Sequence, residues 1–197
     1  MAVPVEHEKR KSEILEKALE LFIEEGYEDV TFQKIADRCG ITRTTLYIYF
    51  KNKREIFLWS IKQLTAELEK ELLKIIADQT IDEIDCLKKM FDTIISTCEK
   101  NYQLFRVLLL YLIQLQKSGG DPEERIERRI IRMQHFLNTV IIRGEKKGSI
   151  KKVSVKAVFA LLSSLMQSGI FKLSLSNKPQ LEETRTVINF AIENLRP

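Results

Sequence analysis

Apolar residues recur at spacings of three and four along most of this chain, and no stretch alternates in the manner of a β-strand. Such spacings place apolar side chains on one face of a helix. The first stripe runs from Ile14 to Ile23, and Gly26 ends it. Helices are predicted over residues 12–25, 31–39, 42–50, 52–77, 82–100, 102–117, 123–147, 154–176 and 180–195. We therefore expect an all-α protein of about nine helices.

Three segments depart from this amphipathic pattern. Residues 1–5, which include Pro4, are expected to form a loose tail. Residues 7–11 carry Lys9, Arg10 and Lys11, and they fit either a frayed helix start or a small basic arm that touches phosphates. Residues 102–117 are apolar nearly all round, which predicts a buried central helix.

The segment 31–50 carries the signals of two short helices joined by a tight turn. Thr31 and Thr42 can each cap a helix start, because a threonine hydroxyl accepts a hydrogen bond from a free backbone N–H. Gly40 follows the last apolar residue of the first helix, where glycine adopts the required positive φ most readily. Leu46 and Phe50, four residues apart, would face inward from the second helix. This arrangement is a helix-turn-helix signature.

The charge distribution supports a role of this segment in DNA binding. The whole chain has a formal net charge of only +4. From residue 38 to residue 54, however, every charged residue is basic. These residues are Arg38, Arg43, Lys51, Lys53 and Arg54. A short helix with hydroxyls, aromatic rings and only positive charge suits the major groove of DNA.

The same segment resembles the DNA-binding domain of TetR-type transcriptional regulators. In that family an Ile-Ala-x-x-x-Gly pattern is followed by Val/Ile-Ser/Thr, then Thr-Leu-Tyr-x-Tyr/His-Phe, then Lys-x-Lys-x-x-Leu/Phe. The matching positions here are Ile35, Ala36, Gly40, Ile41, Thr42, Thr45, Leu46, Tyr47, Tyr49, Phe50, Lys51, Lys53 and Phe57. The match covers about a quarter of the chain, and the rest resembles the family in length and helical pattern.

The resemblance implies DNA contacts by the second short helix and its neighbours. The residues carried over are Gln33, Thr42, Arg43, Thr44, Thr45, Tyr47, Ile48, Tyr49, Lys51 and Lys53. Arg43 would pair with a guanine edge, and the tyrosines would donate to phosphates, which position the protein on DNA. Gln33 and Lys53 would contact phosphates, while Ile48 would touch a thymine methyl group or no base at all.

The resemblance also implies an effector cavity among the middle helices. Candidate lining residues are Met90, Phe91, Tyr102, Phe105, Tyr111, Gln114, Met133, His135, Phe136 and Gln167. Most of these side chains are apolar, so we expect a hydrophobic or aromatic effector. The alternative for each aromatic or methionine residue is an ordinary place in the core, and His135 fits a surface or core position as well.

The last two helices carry more apolar surface than two terminal helices usually need for one core. Gly169 lies inside a helix, where glycine costs about 1 kcal/mol relative to alanine unless another element approaches closely. The resemblance implies a two-fold, four-helix interface between two subunits. Predicted interface residues are Phe159, Leu162, Met166, Gly169, Ile170, Ile188, Phe190 and Leu195. Such a dimer would place two reading helices in successive major grooves of a palindromic operator.

Other kinds of chemistry have little support in the sequence. No Gly-rich phosphate loop, HExxH, GxSxG or metal-spaced cluster occurs, so we expect no enzyme, no metal site and no cofactor. Cys39, Cys86 and Cys98 fit small core residues of a reducing cytoplasm, with a redox-sensing thiol as the alternative. The longest charge-free run, 157–171, is shorter than the ~20 residues of a membrane span, and no signal peptide is evident. We therefore expect a cytoplasmic protein that does not enter the membrane.

These observations predict a DNA-binding domain at residues 1–54 and an effector-binding and dimerisation domain at residues 55–197. The fourth helix would run from one into the other, so that an effector could change the spacing of the two reading helices. The expected function is repression, in which the effector-free dimer occupies its operator and the effector releases it. The alternative is a helical binding or scaffold protein, which would show no salt-dependent, sequence-specific DNA binding.

Overall fold

A computed structural model describes the backbone of residues 3–176 and 180–197, and their side chains except those of residues 3–5 and 122–130. Within these residues the chain forms nine α-helices and no β-strand, which confirms the predicted all-α fold. The helices are α1 (Val3–Glu25), α2 (Phe32–Cys39), α3 (Arg43–Tyr49), α4 (Lys53–Ala77), α5 (Glu83–Lys100), α6 (Tyr102–Lys117), α7 (Pro122–Lys147), α8 (Val155–Leu175) and α9 (Glu182–Glu193).

The chain divides into two compact units. The N-terminal unit comprises Met1–Glu67, and the C-terminal unit comprises Leu68–Pro197. The boundary between them falls within α4, whereas the sequence placed a functional boundary after residue 54. The assignment of DNA binding to one part and of effector binding to the other stays a prediction.

The start of α1 corrects one expectation. The helix begins at Val3, so the loose tail predicted for residues 1–5 is wrong for residues 3–5, and residues 1–2 lie outside the described residues. Pro4 lies in the first turn. Proline is tolerated there because the first N–H groups of a helix have no partner within the helix.

The N-terminal unit has one core, to which α1, α2, α3 and the first turns of α4 contribute. Its fully buried residues are Ala18, Phe22, Val30, Ile35, Ala36, Leu46, Ile56 and Phe57. The rings of Phe22 and Phe57 meet edge-on with centroids 4.9 Å apart. The hydroxyl of buried Ser60 donates to the carbonyl of Leu15 at 2.8 Å, which joins α4 to α1. The two short helices therefore rest on a core made mainly by two longer ones.

The central helix of the C-terminal unit is α5. Its buried residues include Ile84, Cys86, Leu87, Met90, Phe91, Ile94, Ile95 and Cys98. It packs against α7 and α9, while α6 packs mainly against α8. Arg185 also joins α9 to α5, since its guanidinium pairs with Asp92 and Glu99 of α5. The last helix is thus fixed to the centre of its own unit by charge as well as by packing.

A buried carboxylate connects α5 to α7. Glu83 has only 2% of its side chain exposed, and its Oε1 lies 3.1 Å from Nε of Arg143 and 2.8 Å from Nζ of Lys147. The hydroxyl of Ser149 donates to Oε2 of Glu83 at 2.7 Å. Burial raises the pKa of Glu83, but the hydrogen bonds from Lys147 and Ser149 lower it by more. The net pKa of Glu83 therefore lies below the usual value for a glutamate. The carboxylate is therefore charged and compensated inside the fold.

The structure of α6 contradicts the prediction of a helix buried all round. Its buried residues are Leu104, Val107, Tyr111 and Leu115. Leu110 and Ile113 are exposed on another face. The neighbouring helices α7 and α8 cover α6 on one side only. An apolar composition does not reveal how many sides of a helix are covered within one subunit.

Candidate nucleic-acid interface

Three residues cap the helices on either side of the turn between α2 and α3. The hydroxyl of Thr31 accepts a hydrogen bond from the N–H of Lys34 at 3.2 Å, and that of Thr42 accepts one from Thr45 at 3.1 Å. Gly40 has φ +66°, and its N–H donates to carbonyls of α2. These bonds satisfy backbone groups that would otherwise lack partners. The predicted caps and turn are confirmed.

Helix α3 presents one face to the core and another to the outside. Leu46 is buried, and so is Phe50, which follows the helix. The exposed residues are Thr42, Arg43, Thr44, Tyr47 and Ile48, and Thr45 and Tyr49 are half-buried. None of these residues is acidic. The outer face therefore offers hydroxyls, a guanidinium, a phenol and a branched apolar side chain, which are groups that read base edges and hold phosphates.

Two contacts hold Tyr47 in place on this face. Its ring centroid lies 4.6 Å from that of Phe32 on α2. Its hydroxyl accepts a hydrogen bond from Nη2 of Arg43 at 3.2 Å, and the Arg43 guanidinium lies 5.7 Å from the ring centroid. Arg43 and Tyr47 restrict each other's rotamers and form a partly preorganised pair.

Arg38 does not add positive charge to this face. Both of its terminal nitrogens donate to the carboxylate of Glu24 on α1. These hydrogen bonds lower the pKa of Glu24. Lys34 pairs in the same way with Glu25. Residues 38–54 contain basic but no acidic residues, yet this overstates the local positive charge, because acidic residues of α1 lie beside α2 in space.

Lys53 has a structural role that the sequence did not reveal. Its ammonium donates to the carbonyls of Tyr27, Glu28 and Val30 at 2.9, 3.0 and 3.0 Å. An ammonium has three N–H donors, and these bonds use all of them. The phosphate contact expected of Lys53 stays a prediction, and it would require the exchange of one of these bonds.

Gln33 and Lys51 remain available at the surface. Gln33 is exposed, and its Nε2 donates to Oδ1 of Asp37 at 2.7 Å. Lys51 is exposed just beyond α3, and its backbone N–H donates to Glu55 at 2.6 Å. Both side chains can turn toward a DNA backbone without disturbing the core.

The predicted effector residues divide by polarity. Met90, Phe91 and Tyr111 are buried in the C-terminal unit. Tyr102, Phe105, Met133 and Phe136 are half-buried. Gln114, His135 and Gln167, however, are exposed. The exposed positions of these three side chains differ from the predicted internal lining. The apolar face of each helix packs into the core, and the polar side chains therefore face outward. Together with Asn138, Thr139, Ile142, Arg143 and Lys146, His135 lines a surface hollow of about 420 Å³ along α7.

Most predicted interface residues belong to the core of their own subunit. Leu162, Met166, Gly169, Ile188 and Leu195 are buried, and Phe159 and Ile170 are half-buried. Phe190, in contrast, has 70% of its surface exposed. A Cβ added to Gly169 would lie 3.0 Å from Cγ2 and Oγ1 of Thr184 on α9. The element that closely approaches this glycine is therefore α9 of the same subunit, and no second subunit is required.

The structure reveals a different apolar surface on α8 and α9. Its residues are Leu161, Phe171, Leu175, Val187 and Phe190, all of them exposed. Positions 161, 164, 168, 171 and 175 lie on one face of α8, and the two intervening residues are exposed serines. Of these residues, only Phe190 was predicted from the sequence as an interface residue. The face of α8 was not identified, because α8 is apolar on two sides and spacing does not tell which side meets the core.

Helix α8 is also, by length and composition, the one described helix that could cross a membrane. The core helix of a protein that never enters a membrane passes the same test, so this is weak evidence. Only 33% of its most apolar stretch is buried within the subunit. The outward face of α8 is therefore an apolar surface that its own subunit leaves uncovered.

The three cysteines, all of them among the described residues, are core residues. Cys39, Cys86 and Cys98 are free and buried. Burial raises the pKa of each thiol, that of Cys98 to about 12, so these thiols are poor nucleophiles at neutral pH. The described part of the chain contains no group of three or more His, Cys, Asp or Glu side chains that could hold a metal ion.

The capped turn, the buried side of α3 and its acid-free outer face define a helix-turn-helix, DNA-binding class of protein. A family model described as bacterial regulatory proteins of the tetR family matches residues 14–58. This match assigns the N-terminal segment to the DNA-binding domain of TetR-type transcriptional regulators. Regulators of this family are transcription factors rather than enzymes.

Two relatives are similar to this chain over more of its length. The fatty acid metabolism regulator protein of Bacillus subtilis is 24% identical over 144 residues, which are 71% of this chain and 70% of that protein. The biofilm operon icaADBC negative regulator IcaR of Staphylococcus aureus is 24% identical over 168 residues, 85% of this chain and 86% of IcaR.

Two solved structures extend the similarity to the fold of the whole chain. A TetR transcription regulator from Haloarcula marismortui superposes with a TM-score of 0.84 at 18% identity, covering 96% of this chain and 100% of the other. The structure of FadR from Bacillus subtilis in complex with stearoyl-CoA gives a TM-score of 0.71 at 19% identity, covering 93% and 96%.

Proposed function

We propose that this protein is a homodimeric, cytoplasmic repressor whose α3 helices read a palindromic operator and whose C-terminal unit binds a hydrophobic effector that releases it. The observation that carries the proposal is the exposed, acid-free face of α3, on which Arg43 and Tyr47 hold each other. A side chain that is fixed before binding loses little conformational entropy when it meets DNA.

The residues of α3 divide into base readers and phosphate contacts. Arg43 pairs with N7 and O6 of a guanine, the commonest specific contact in the major groove. Ile48, at the most exposed apolar position of α3, contacts a thymine methyl group. The remaining proposed contacts to sugar and phosphate come from Gln33, Thr42, Thr44, Thr45, Tyr47, Tyr49, Lys51 and Lys53.

The apolar surface of α8 and α9 supports dimerisation. Phe190 and Leu175 are exposed at 70% and 68%, more than any other large apolar residues on these two helices. Large exposed apolar patches mark interfaces, because water-exposed hydrocarbon is unfavourable unless a partner covers it. A second copy of this chain brings the same surface, and a two-fold interface pairs it with itself.

The proposed effector is a molecule with a long hydrocarbon chain, and a fatty acyl-CoA is the first candidate. The apolar residues Met90, Phe91, Met133 and Phe136 in the C-terminal unit fit a hydrocarbon chain, and methionine adapts to irregular ligands. The acyl-CoA class is suggested by the B. subtilis FadR complex with stearoyl-CoA. An effector releases DNA only through its different affinity for the two states of the protein.

Selection from random duplexes tests operator binding. We expect the purified protein to enrich a palindrome with half-sites about one helical turn apart, and binding to weaken steeply with salt. Arg43→Ala should weaken binding to the selected duplex by about 1–3 kcal/mol and relax the preference at one base pair. Arg106→Ala removes the same charge from an exposed position on α6 and serves as the matched control.

Failure to enrich any sequence, by folded and dimeric protein, would favour a helical binding or scaffold protein instead. If a palindrome is enriched, stearoyl-CoA, free stearate and CoA are titrated against the bound duplex. Release by the acyl thioester alone supports the proposed effector class. Unchanged affinity with all three removes fatty acyl compounds from the proposal and leaves operator recognition standing.

A further inference from the structure

The imidazole of His7 stacks on the recognition helix. Its ring centroid lies 4.6 Å from that of Tyr49, the last residue of α3, with an interplanar angle of 23°. His7 keeps 45% of its side chain exposed, and Tyr49 is half-buried. The imidazole thus covers one side of the Tyr49 ring and restricts the direction in which the phenol points.

This stack is one of three contacts made by a single face of α1. His7, Arg10 and Lys11 are three and four residues apart and share that face. Nη2 of Arg10 donates to the carbonyl of Cys39 at the end of α2, at 3.3 Å. Nζ of Lys11 lies 5.7 Å from the ring of Phe50, just after α3. The beginning of α1 therefore contacts the end of α2, the end of α3 and the residue that follows α3.

We propose that His7 is a positioning residue for the DNA contact of Tyr49, and that its protonation makes operator binding tighter at low pH. This inference rests on the proposed function, in which Tyr49 donates to a phosphate. The stack orders Tyr49 in either charge state of His7. The protonated ring adds a cation–π attraction to Tyr49 and one positive charge beside a phosphate contact. Both additions disappear when the imidazole becomes neutral.

The charged groups near His7 come from its own helix and from the segment that follows α3. On its own helix the charged neighbours are Glu8, whose Oε1 lies 3.9 Å from Nδ1, and the cations Arg10 and Lys11. Glu8 is itself exposed, so water screens this pair. Helix α3 contributes the phenol of Tyr49. Lys51 follows in the turn after α3, and Glu55, which accepts from the backbone N–H of Lys51, lies in the first turn of α4. Among these side-chain types only imidazole ordinarily changes charge between pH 6 and 8.

The sign of the effect follows from linkage. If DNA binds the protonated protein better, binding takes up a proton, and affinity falls as the pH rises through the range in which imidazole loses it. Neutralising one cation that faces a phosphate lowers the salt slope by about 0.9. With a slope lower by about 0.9, the ratio of the two affinities, with protonated and with neutral His7, changes by roughly three- to fourfold when the salt concentration changes fourfold.

The test uses the full-length protein and the duplex that it selects, with fluorescence anisotropy at pH 6.0 and pH 8.0 over a range of salt. We expect about three- to tenfold weaker binding at pH 8.0, with a salt slope lower by about 0.9. His7→Phe keeps a stacking ring without a proton, so it should bind like the unaltered protein at pH 8.0 and lose the pH dependence. His7→Ala should bind more weakly than His7→Phe at both pH values. Glu8→Gln should retain the pH dependence.

Different results separate this inference from the proposed function. If His7→Phe keeps the full pH dependence, or His7→Ala binds like His7→Phe, the role assigned to His7 is wrong while operator binding stands. If the unaltered protein binds no sequence specifically at either pH, the proposed function fails and takes this inference with it. Circular dichroism of each variant establishes that the comparison is made on folded protein.

Discussion

Phe190 provides the sharpest test of the dimer, because it is a large apolar residue that its own subunit barely covers. It is 70% exposed on α9. A phenylalanine side chain buries on the order of 200 Å² of surface, so about 140 Å² of Phe190 is exposed in the single subunit. At about 25 cal/mol per Å², covering this surface is worth up to about 3.5 kcal/mol per subunit, and a two-fold interface contains it twice.

We expect Phe190→Asp to raise the dimer dissociation constant by at least about 100-fold, which is roughly 2.8 kcal/mol. This figure is well below the upper limit because partial burial at the interface and the entropy cost of association reduce the gain from area. The added carboxylate would also bring an unpaired charge into the apolar interface. Sedimentation velocity over a range of protein concentrations measures the dissociation constant directly.

Two leucines make a matched pair for the same experiment. Leu161 on α8 and Leu73 on α4 are each 52% exposed. Leu161→Asp should dissociate the dimer, while Leu73→Asp should leave it intact, since only the first lies on the α8 and α9 surface. Dimers that survive both Phe190→Asp and Leu161→Asp would refute the proposed interface. Equal dissociation by Leu73→Asp would show that the effect of an added aspartate is not local.

Three further substitutions test individual contacts. Lys53→Met removes three bonds to loop carbonyls and should destabilise the N-terminal unit by about 1.5–3 kcal/mol, whereas a residue that only touches phosphate would change affinity and leave the melting temperature alone. Glu83→Gln should cost about 2–3 kcal/mol, less than a fully enclosed ion pair because its cations reach water. Since the pKa of Glu83 is lowered from 4.5, this stability is present above that pH and is lost as the pH falls below it, so urea denaturation of the two proteins should converge in acid. Gly169→Ala gains about 1 kcal/mol of helix propensity but meets the stiff, buried Thr184, so we expect net destabilisation that Thr184→Ala relieves in the double variant; a more stable single variant would contradict this.

The helix-turn-helix could be predicted in detail because its signals are local. Thr31, Gly40 and Thr42 end or begin helices through bonds to groups within a few residues, and sequence spacing captures such bonds. Lys53 illustrates the opposite case, since its acceptors lie 23 to 26 residues earlier in the chain. Arg38 is similar, because its partner Glu24 reaches it only after α1 and α2 have packed.

The faces of the apolar helices were harder to predict for a different reason. Leu162 and Leu161 are adjacent leucines of α8, yet the first is 1% exposed and the second 52%. The hydrophobicity of the two positions is identical, so composition cannot distinguish core from interface. The positions of α6, which packs mainly against α8, and of α9, whose Thr184 packs against Gly169, decide which side of α8 faces inward. An interface made of the same residue types as the core is therefore found from exposure rather than from sequence.

The stacked tyrosines explain how a helix of only seven residues can present a defined reading surface. An isolated helix of that length is unstable in water, so α3 depends on burial of Leu46 and on contacts from other helices. Phe32 supports Tyr47 from α2. We expect Phe32→Ala, which touches no DNA in the proposed complex, to lose about 0.5–1.5 kcal/mol of ring stacking and to weaken operator binding by roughly two- to tenfold. Anisotropy with the selected duplex measures this loss, and Phe32→Tyr, which keeps a ring, is the matched control. Unchanged affinity of a folded Phe32→Ala protein would mean that DNA itself orders Tyr47 and that the stack is not part of recognition.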